Sequence, residues 1–295
     1  MKNSVSIDVI IPAYNAHDKI INALSSLSIQ KINFPLNIII VNDGSTHNYE
    51  KEISFFKDYL NIKEVTLKKN SGVGVAKQTG IDNSSGDYII FLDADDSLYD
   101  SHSLQSLYNL IFDGKCDYAY GAIIFEFHPY KNIFKNHDGC LHGKIFSRKL
   151  IKNNNIKFNT TRTSEDNSFN HLCLFNAKDI RNTEQIVYVY RDNGSSLTKG
   201  ISISREVDNL NDYAENVKYT LNNVKDKFRR DIIEYYLNCS FYLSREYKRI
   251  FEIDKKEAER INDILNDLKE FASFYTDDII DKIVPELAMK NLANR

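Results

Sequence analysis

All 11 glycines of this chain lie at or before Gly200, and no other feature restricts its fold as much. Residues 201–295 contain no glycine and a single proline, Pro285, so they lack the residues that punctuate turns and sheets. Their 16 basic and 19 acidic side chains suit helices with charged outer faces. Apolar residues recur there at helical spacing, as in Ile261, Ile264, Leu265, Leu268 and Ala272, and again in Ile279, Ile280, Ile283, Val284 and Leu287. The expectation is an all-helical C-terminal module over 201–295. A short helix cannot bury its apolar face alone. Three coverings are open: a second copy of the chain, giving a homo-oligomer; a membrane surface met by Arg229-Arg230 and by Arg245 with Lys248-Arg249; or the rest of the chain. The net acidity of the segment disfavours the membrane.

The first 130 residues have a different grain. Short β-branched runs at Ile7-Ile11, Leu36-Val41, Ile62-Leu67, Tyr88-Leu92 and Tyr118-Phe125 alternate with stretches long enough for helices. That alternation predicts an α/β fold, Rossmann-like, with a mostly parallel sheet flanked by helices. In such sheets ligands sit beyond the carboxyl ends of the strands. The polar residues directly after each strand are therefore the ones to read.

Composition excludes several classes. With 42% hydrophobic and 27% charged residues the chain can bury a core. Lys+Arg 38 against Asp+Glu 41 supplies no footprint for nucleic acid. No run of 18 apolar residues occurs, and the N-terminus leads into a five-residue apolar stretch too short for a signal-peptide core, so a cytoplasmic protein is expected. Cys116, Cys140, Cys173 and Cys239 form no CxxC pair and read as reduced, mostly buried thiols. None of the seven histidines shows metal-ligand spacing.

Three polar clusters follow strands: Pro12-Ala13-Tyr14-Asn15, Asn42-Asp43-Gly44-Ser45 and Asp93-Ala94-Asp95-Asp96. In the last, two carboxylates one residue apart can turn toward a hard divalent cation, Mg²⁺ or Mn²⁺, which keeps open positions for phosphate oxygens. Without a cation or a donor such a pair cannot stay ionised at close range. The plainer alternative is that these are turn aspartates.

The order PAYN, VNDGS, Asn70-Ser71-Gly72 with Ala76-Lys77 and Gly80, then SGDYIIFLDADD, resembles the nucleotide-sugar domain of glycosyltransferase family 2, whose fold is called GT-A. The resemblance covers roughly residues 5–200. It implies a catalytic domain over 1–200, with a nucleotide-sugar half at about 1–98 and an acceptor half at about 99–200. By that resemblance Pro12, Ala13, Tyr14, Asn15 and Asp43 hold the base and ribose, with uracil as the base. Asn70 and Lys77 match a segment where an arginine is usual; lysine lacks the planar fork that binds bidentately. A solvated lysine on a helix face is the alternative for Lys77. Asp93 and Asp95 match the DxD pair, Asp95 as the metal ligand and Asp93, with Ala94, nearer the ribose, while Asp96 supports the site from behind.

Thr163-Ser164-Glu165-Asp166-Asn167 resembles the family's ED motif, in which the second acid is the catalytic base. Thr163 and Asp166 also fit a capping box at a helix start. Tyr190-Arg191 with Gly194-Ser195-Ser196-Leu197-Thr198 resembles the closing segment, where Arg191 and Ser196 would fold over the diphosphate. His142-Gly143-Lys144-Ile145-Phe146 resembles an acceptor-side segment, placing His142, Lys144 and Glu165 near the acceptor; a surface-loop histidine is the alternative for His142.

The resemblance implies inverting transfer of a sugar from a UDP-sugar to a hydroxyl of a carbohydrate, lipid-linked or protein-linked glycan, in bacterial surface polysaccharide or glycoconjugate synthesis. The expected setting is cytoplasmic, with peripheral contact at the inner face of the membrane as one option. A haloacid dehalogenase-type phosphatase also carries a DxD after a buried strand, but near the beginning of its chain. A dinucleotide oxidoreductase needs GxGxxG after its first strand, where PAYN stands. A non-catalytic nucleotide-binding scaffold is the third alternative.

Overall fold

A computed structural model describes residues 4–126, 133–134, 139–191 and 202–293, with side chains through residue 285. The chain divides into two compact units, residues 1–160 with 169–196, and residues 161–168 with 197–295.

In the first unit, β1 (Ile7–Ala13), β2 (Leu36–Asn42), β3 (Ile62–Thr66) and β4 (Tyr88–Phe91) alternate with α1 (His17–Ser28), α2 (Glu50–Ser54) and α3 (Val73–Asp82). Then come β5 (Ser97–Leu98), α4 (Ser103–Ile111), β6 (Tyr118–Phe125), β7 (Ile133–Phe134), β8 (Lys144–Ser147), α5 (Arg148–Asn153), α6 (Glu165–Asn176), whose first four residues belong to the second unit, and β9 (Ile180–Tyr190). The described strands form one sheet in the order β3-β2-β1-β4-β8-β6-β9-β5, with β7 paired to β6. Its first four strands are parallel, as expected. Antiparallel pairing enters where β8 joins β4 to β6, and β6 and β9 are parallel again.

The order reverses at β1, which has β2 on one side and β4 on the other. That switch point opens a crevice at the carboxyl ends of β1 and β4. Every residue of β1 is buried, because helices cover both faces of a parallel sheet. Ile20, Ala23, Leu24 and Leu27 of α1 supply one cover, each large aliphatic side chain contributing about 1.5–3 kcal/mol of burial. On α3, a Cβ at Gly80 would fall 2.3 Å from Ile10 Cγ2, so glycine sets how closely that helix approaches the strand.

The second unit is helical: α7 (Ile203–Asn223), α8 (Arg230–Phe251), α9 (Lys255–Phe271) and α10 (Asp277–Ala293). Ile261 and Leu268 of α9 are buried, and α9 packs on α7 and α8. Ile261 and Leu268 are thus covered inside this unit, while Ile264 and Leu265 stay partly exposed. Asp254 caps α9, accepting the N–H groups of Lys256 and Glu257 at 3.1 Å each. Among the described residues no helix is long and apolar enough to cross a membrane.

Residues 161–168, counted with the preceding domain in the sequence reading, group with these helices because polar side chains tie them there. The Asn216 amide donates to Thr161 Oγ1 at 2.7 Å and accepts from Ser168 Oγ at 2.7 Å. Asp212 accepts both the N–H and the hydroxyl of Thr163, at 3.1 and 3.0 Å. Tyr235 donates to Asn167 Oδ1 at 2.6 Å. Such partners, some fifty to seventy residues away, leave no local sequence pattern.

Candidate functional site

Pro12 and Ala13 stand inside β1 rather than after it, paired with Val41 and Asn42. β4 leaves β1 at the Ile10–Phe91 pair. Beyond that point β1 has a neighbour on one side only, where a residue without an N–H is tolerated. Tyr14 follows, half-exposed, and Asn15 takes the left-handed φ of 47°. Its amide oxygen accepts the Thr46 N–H at 3.0 Å, and its own N–H donates to Ser45 Oγ at 2.9 Å. Behind them the fully buried Tyr49 accepts the Ala16 N–H at 3.0 Å and lies 3.1 Å from Ser45 Oγ. The two loops are locked together by the chain's own bonds.

Asp43 is buried and accepts the N–H groups of Ser71 at 2.7 Å and Gly72 at 2.9 Å. Gly72 also donates to Asn70 Oδ1 at 3.2 Å. This close approach depends on Gly44, whose φ is 69° and where a Cβ would fall 2.3 Å from the Lys69 carbonyl carbon. Lys77 is only 2% exposed. It lies under the helix rather than on its solvated face, with Nζ 5.9 Å from the centre of the Phe158 ring.

The Asp93–Asp96 turn presents its three carboxylates differently. The Asp95 side chain is 36% exposed, with Oδ2 3.9 Å from Lys19 Nζ. Asp93 lies 3.2 Å from His142 Nε2. Burial alone would raise the Asp93 pKa; the Lys77 ammonium and the His142 hydrogen bond outweigh it and hold Asp93 well below the ordinary carboxylate range. Asp96 is buried and turns inward, accepting the Tyr188 hydroxyl at 2.6 Å and the Arg191 N–H at 2.8 Å. Burial, reinforced by the charge of Asp93, pushes it up to about 7 against the pull of His142. Ala94 is buried between the two.

His142 is therefore no surface-loop residue. Its Nε2 stands 3.2 Å from Asp93 and 3.9 Å from Asp96, and its ring packs on Tyr188 and Tyr190 at 4.9 and 5.1 Å between centres. Asp93, Asp96 and His142 offer ligand atoms within 4.8 Å of one another. Lys144 is buried in β8, its Nζ donating to the Cys140 carbonyl at 2.5 Å. Arg191 donates from Nε to Ser97 Oγ at 3.1 Å and from Nη1 to Glu126 at 3.4 Å. Ser196 and the rest of the closing segment lie outside the described residues. Sequence reasoning missed Tyr188 and Tyr49, because neither follows a strand or stands in a motif.

In the second unit, α6 begins at Glu165, directly after Ser164 with its φ of 63°. Glu165 is buried, and Asp166 stands in the first turn, where a negative charge is favoured. Thr163 donates both its N–H and its hydroxyl to Asp212.

The doubly wound sheet thus carries backbone-locked loops and a carboxylate turn beside its switch point. Residues 8–183 match Glycosyl transferase family 2, and the chain belongs to that family: it is a glycosyltransferase of GT-A fold. It is 26% identical to the uncharacterized glycosyltransferase YibD of Escherichia coli (strain K12), across 96% of this chain and 88% of that protein. It is 28% identical to the poly(ribitol-phosphate) beta-N-acetylglucosaminyltransferase TarP of Staphylococcus aureus (strain N315), across 69% of this chain and 68% of that one. The crystal structure of S. aureus TarS 1-349 in complex with UDP-GlcNAc shares the fold, with a TM-score of 0.74 over 90% of this chain and 81% of that chain, at 20% identity. The family match runs against the phosphatase, oxidoreductase and scaffold readings. Members of this family usually use a divalent cation, and hard carboxylate oxygens at a partly exposed strand end fit one.

Proposed function

We propose that the protein transfers a sugar from a UDP-sugar to an acceptor hydroxyl with inversion. The observation that carries this reading is the convergence of Asp43, the Asn70–Gly72 loop and the Asp93–Asp96 turn on the carboxyl ends of β2 and β4, beside the switch-point strand. Uracil recognition falls to the loops around Tyr14, Asn15 and Asp43, where the carboxylate of Asp43 retains lone pairs able to accept from the ring N3–H. Asp93 and Ala94 adjoin the ribose and Lys77 balances the charge around Asp93.

Asp95 would hold the cation, Mn²⁺ or Mg²⁺. When bound, the cation supplies neutralisation of charge on the departing diphosphate. Asp166 takes the proton of the attacking hydroxyl, and a single displacement at the anomeric carbon inverts it, so no second carboxylate is needed as nucleophile. Arg191 and Ser196 attend the diphosphate, and His142, Lys144 and Glu165 keep the acceptor-side assignment of the resemblance. TarS holds UDP-GlcNAc, and TarP is named for glycosylating poly(ribitol-phosphate), which supports a hydroxyl of a bacterial surface polymer or glycoconjugate as acceptor. A cytoplasmic setting, peripheral at the membrane where an acceptor is lipid-linked, belongs to the same proposal, as does self-association through residues 201–295.

The test measures UDP release from a panel of UDP-sugars with and without Mn²⁺, beside a chromogenic phosphate ester. Metal-dependent UDP release supports the proposal. Ester hydrolysis alone would restore the phosphatase, and silence in both assays the scaffold.

A further inference from the structure

We propose that Tyr188 is a positioning residue for metal-dependent donor binding: its hydroxyl fixes both ends of the Asp93–Asp96 turn and keeps Asp96 turned away from the site. The inference rests on the donor-site reading above. The Tyr188 oxygen donates to Asp96 Oδ2 at 2.6 Å and accepts the Asp93 N–H at 3.3 Å. One atom on β9 thus grips the first and last residues of the turn. The ring is 1% exposed and is held by packing against His142. Its strand is tied to the chain just beyond the turn through the Ser97–Val189 and Leu98–Tyr188 pairs. Burial and the nearby Asp96 and Asp93 charges keep the phenol protonated, and so a donor.

The consequence is a division of labour among three adjacent carboxylates. Asp96 is anchored inward by Tyr188 and by the Arg191 N–H. Asp95 points outward from a turn whose backbone cannot pivot while both bonds persist. Remove the hydroxyl and the buried Asp96 loses its shortest donor; its charge is then drawn toward His142, 3.9 Å away, on the side of Asp93. The turn loses its fixed spacing and a like charge approaches the donor site.

Calorimetry of UDP binding, with Mn²⁺ and with EDTA, tests this on Tyr188→Phe, Asp96→Asn and the double variant in the full chain. Tyr188→Phe keeps the ring and its packing. The expected result is a loss of about tenfold in UDP affinity with Mn²⁺, of the size of one charge-assisted hydrogen bond, and no change in EDTA. Because the hydroxyl acts through Asp96, the double variant should be no weaker than the weaker single one. A merely structural tyrosine would lower both affinities alike. Mn²⁺-dependent affinity within about twofold of wild type in Tyr188→Phe, or losses that multiply in the double variant, would overturn the inference. If Tyr188→Phe does not fold, Asp96→Ala decides alone, since it removes the acceptor through which the hydroxyl holds the end of the turn: affinity unchanged with Mn²⁺ and EDTA overturns the inference, a loss confined to Mn²⁺ sustains it. Wild-type protein that binds no UDP would overturn the donor-site reading and this inference with it, whereas wild-type binding with an unchanged variant overturns this inference alone.

Discussion

Two short segments carry the proposed chemistry, and they are secured in different ways. The Asp93–Asp96 turn is held within the sheet unit by β9, through Tyr188 and the Arg191 N–H. The segment carrying Asp166 is held within the helical unit, through Asp212, Asn216 and Tyr235. In the first case a strand end supplies the framework and one side chain trims it. In the second, a segment without regular structure before Glu165 is stitched by side chains of α7 and α8. The helices that read as an appendage thus have a task inside the chain: they set where the proposed base begins its helix.

The largest effect should come from the second segment's chemistry. Asp166→Asn keeps the shape but cannot take a proton, so transfer should fall ~10²–10⁴-fold with UDP affinity unchanged by calorimetry. Transfer within about tenfold of wild type would leave Asp166 a helix-terminus charge and dissolve the comparison. Asp95→Ala addresses the first segment: UDP affinity with Mn²⁺ should drop by about tenfold or more, to the value measured in EDTA. Equal losses with and without metal would show the turn, not a ligand, had been damaged.

Asn216→Ala separates holding from chemistry. It strips buried bonds to Thr161 and Ser168, costing about 1–3 kcal/mol in denaturant unfolding. Turnover should decline while UDP binding persists; loss of UDP binding instead would mean the segments are not independently secured. The smallest effect belongs to Lys218→Met. Its ion pairs reach the exposed carboxylates of Glu215 and Asp267, and their removal should change stability by less than about 1 kcal/mol.

Much of the framework was legible. Ile7–Ile11 and Leu36–Val41 are β-branched runs interrupted only by Asp8 and Asn37 and followed by turn residues, and the α9 residues Ile261 and Leu268 keep helical spacing. What escaped depends on partners far along the chain or on very short elements. β5 has two residues and β8 four, with a lysine in the latter, so neither shows a period. Pro12 argues locally against a strand and is admitted only because β4 stops short of it. Lys77 and His142 look like solvated residues until the sheet closes over them. Tyr188 gained meaning only from Asp96, 92 residues earlier.

That separation also sets an order of events during synthesis. The motif residues from Pro12 to Asp96 leave the ribosome early, yet the hydroxyl that grips their last turn follows 92 residues behind. At about 5–20 residues per second the delay is some 5–18 seconds, in which the parallel block β3-β2-β1-β4 can form while the turn beyond β4 lacks its anchor. A nascent chain stalled before residue 188 would hold the first part of the site in name only. The turn beyond β4 thus completes its own hydrogen bonds only with the arrival of β9, a long-range pairing of the kind that folds slowly.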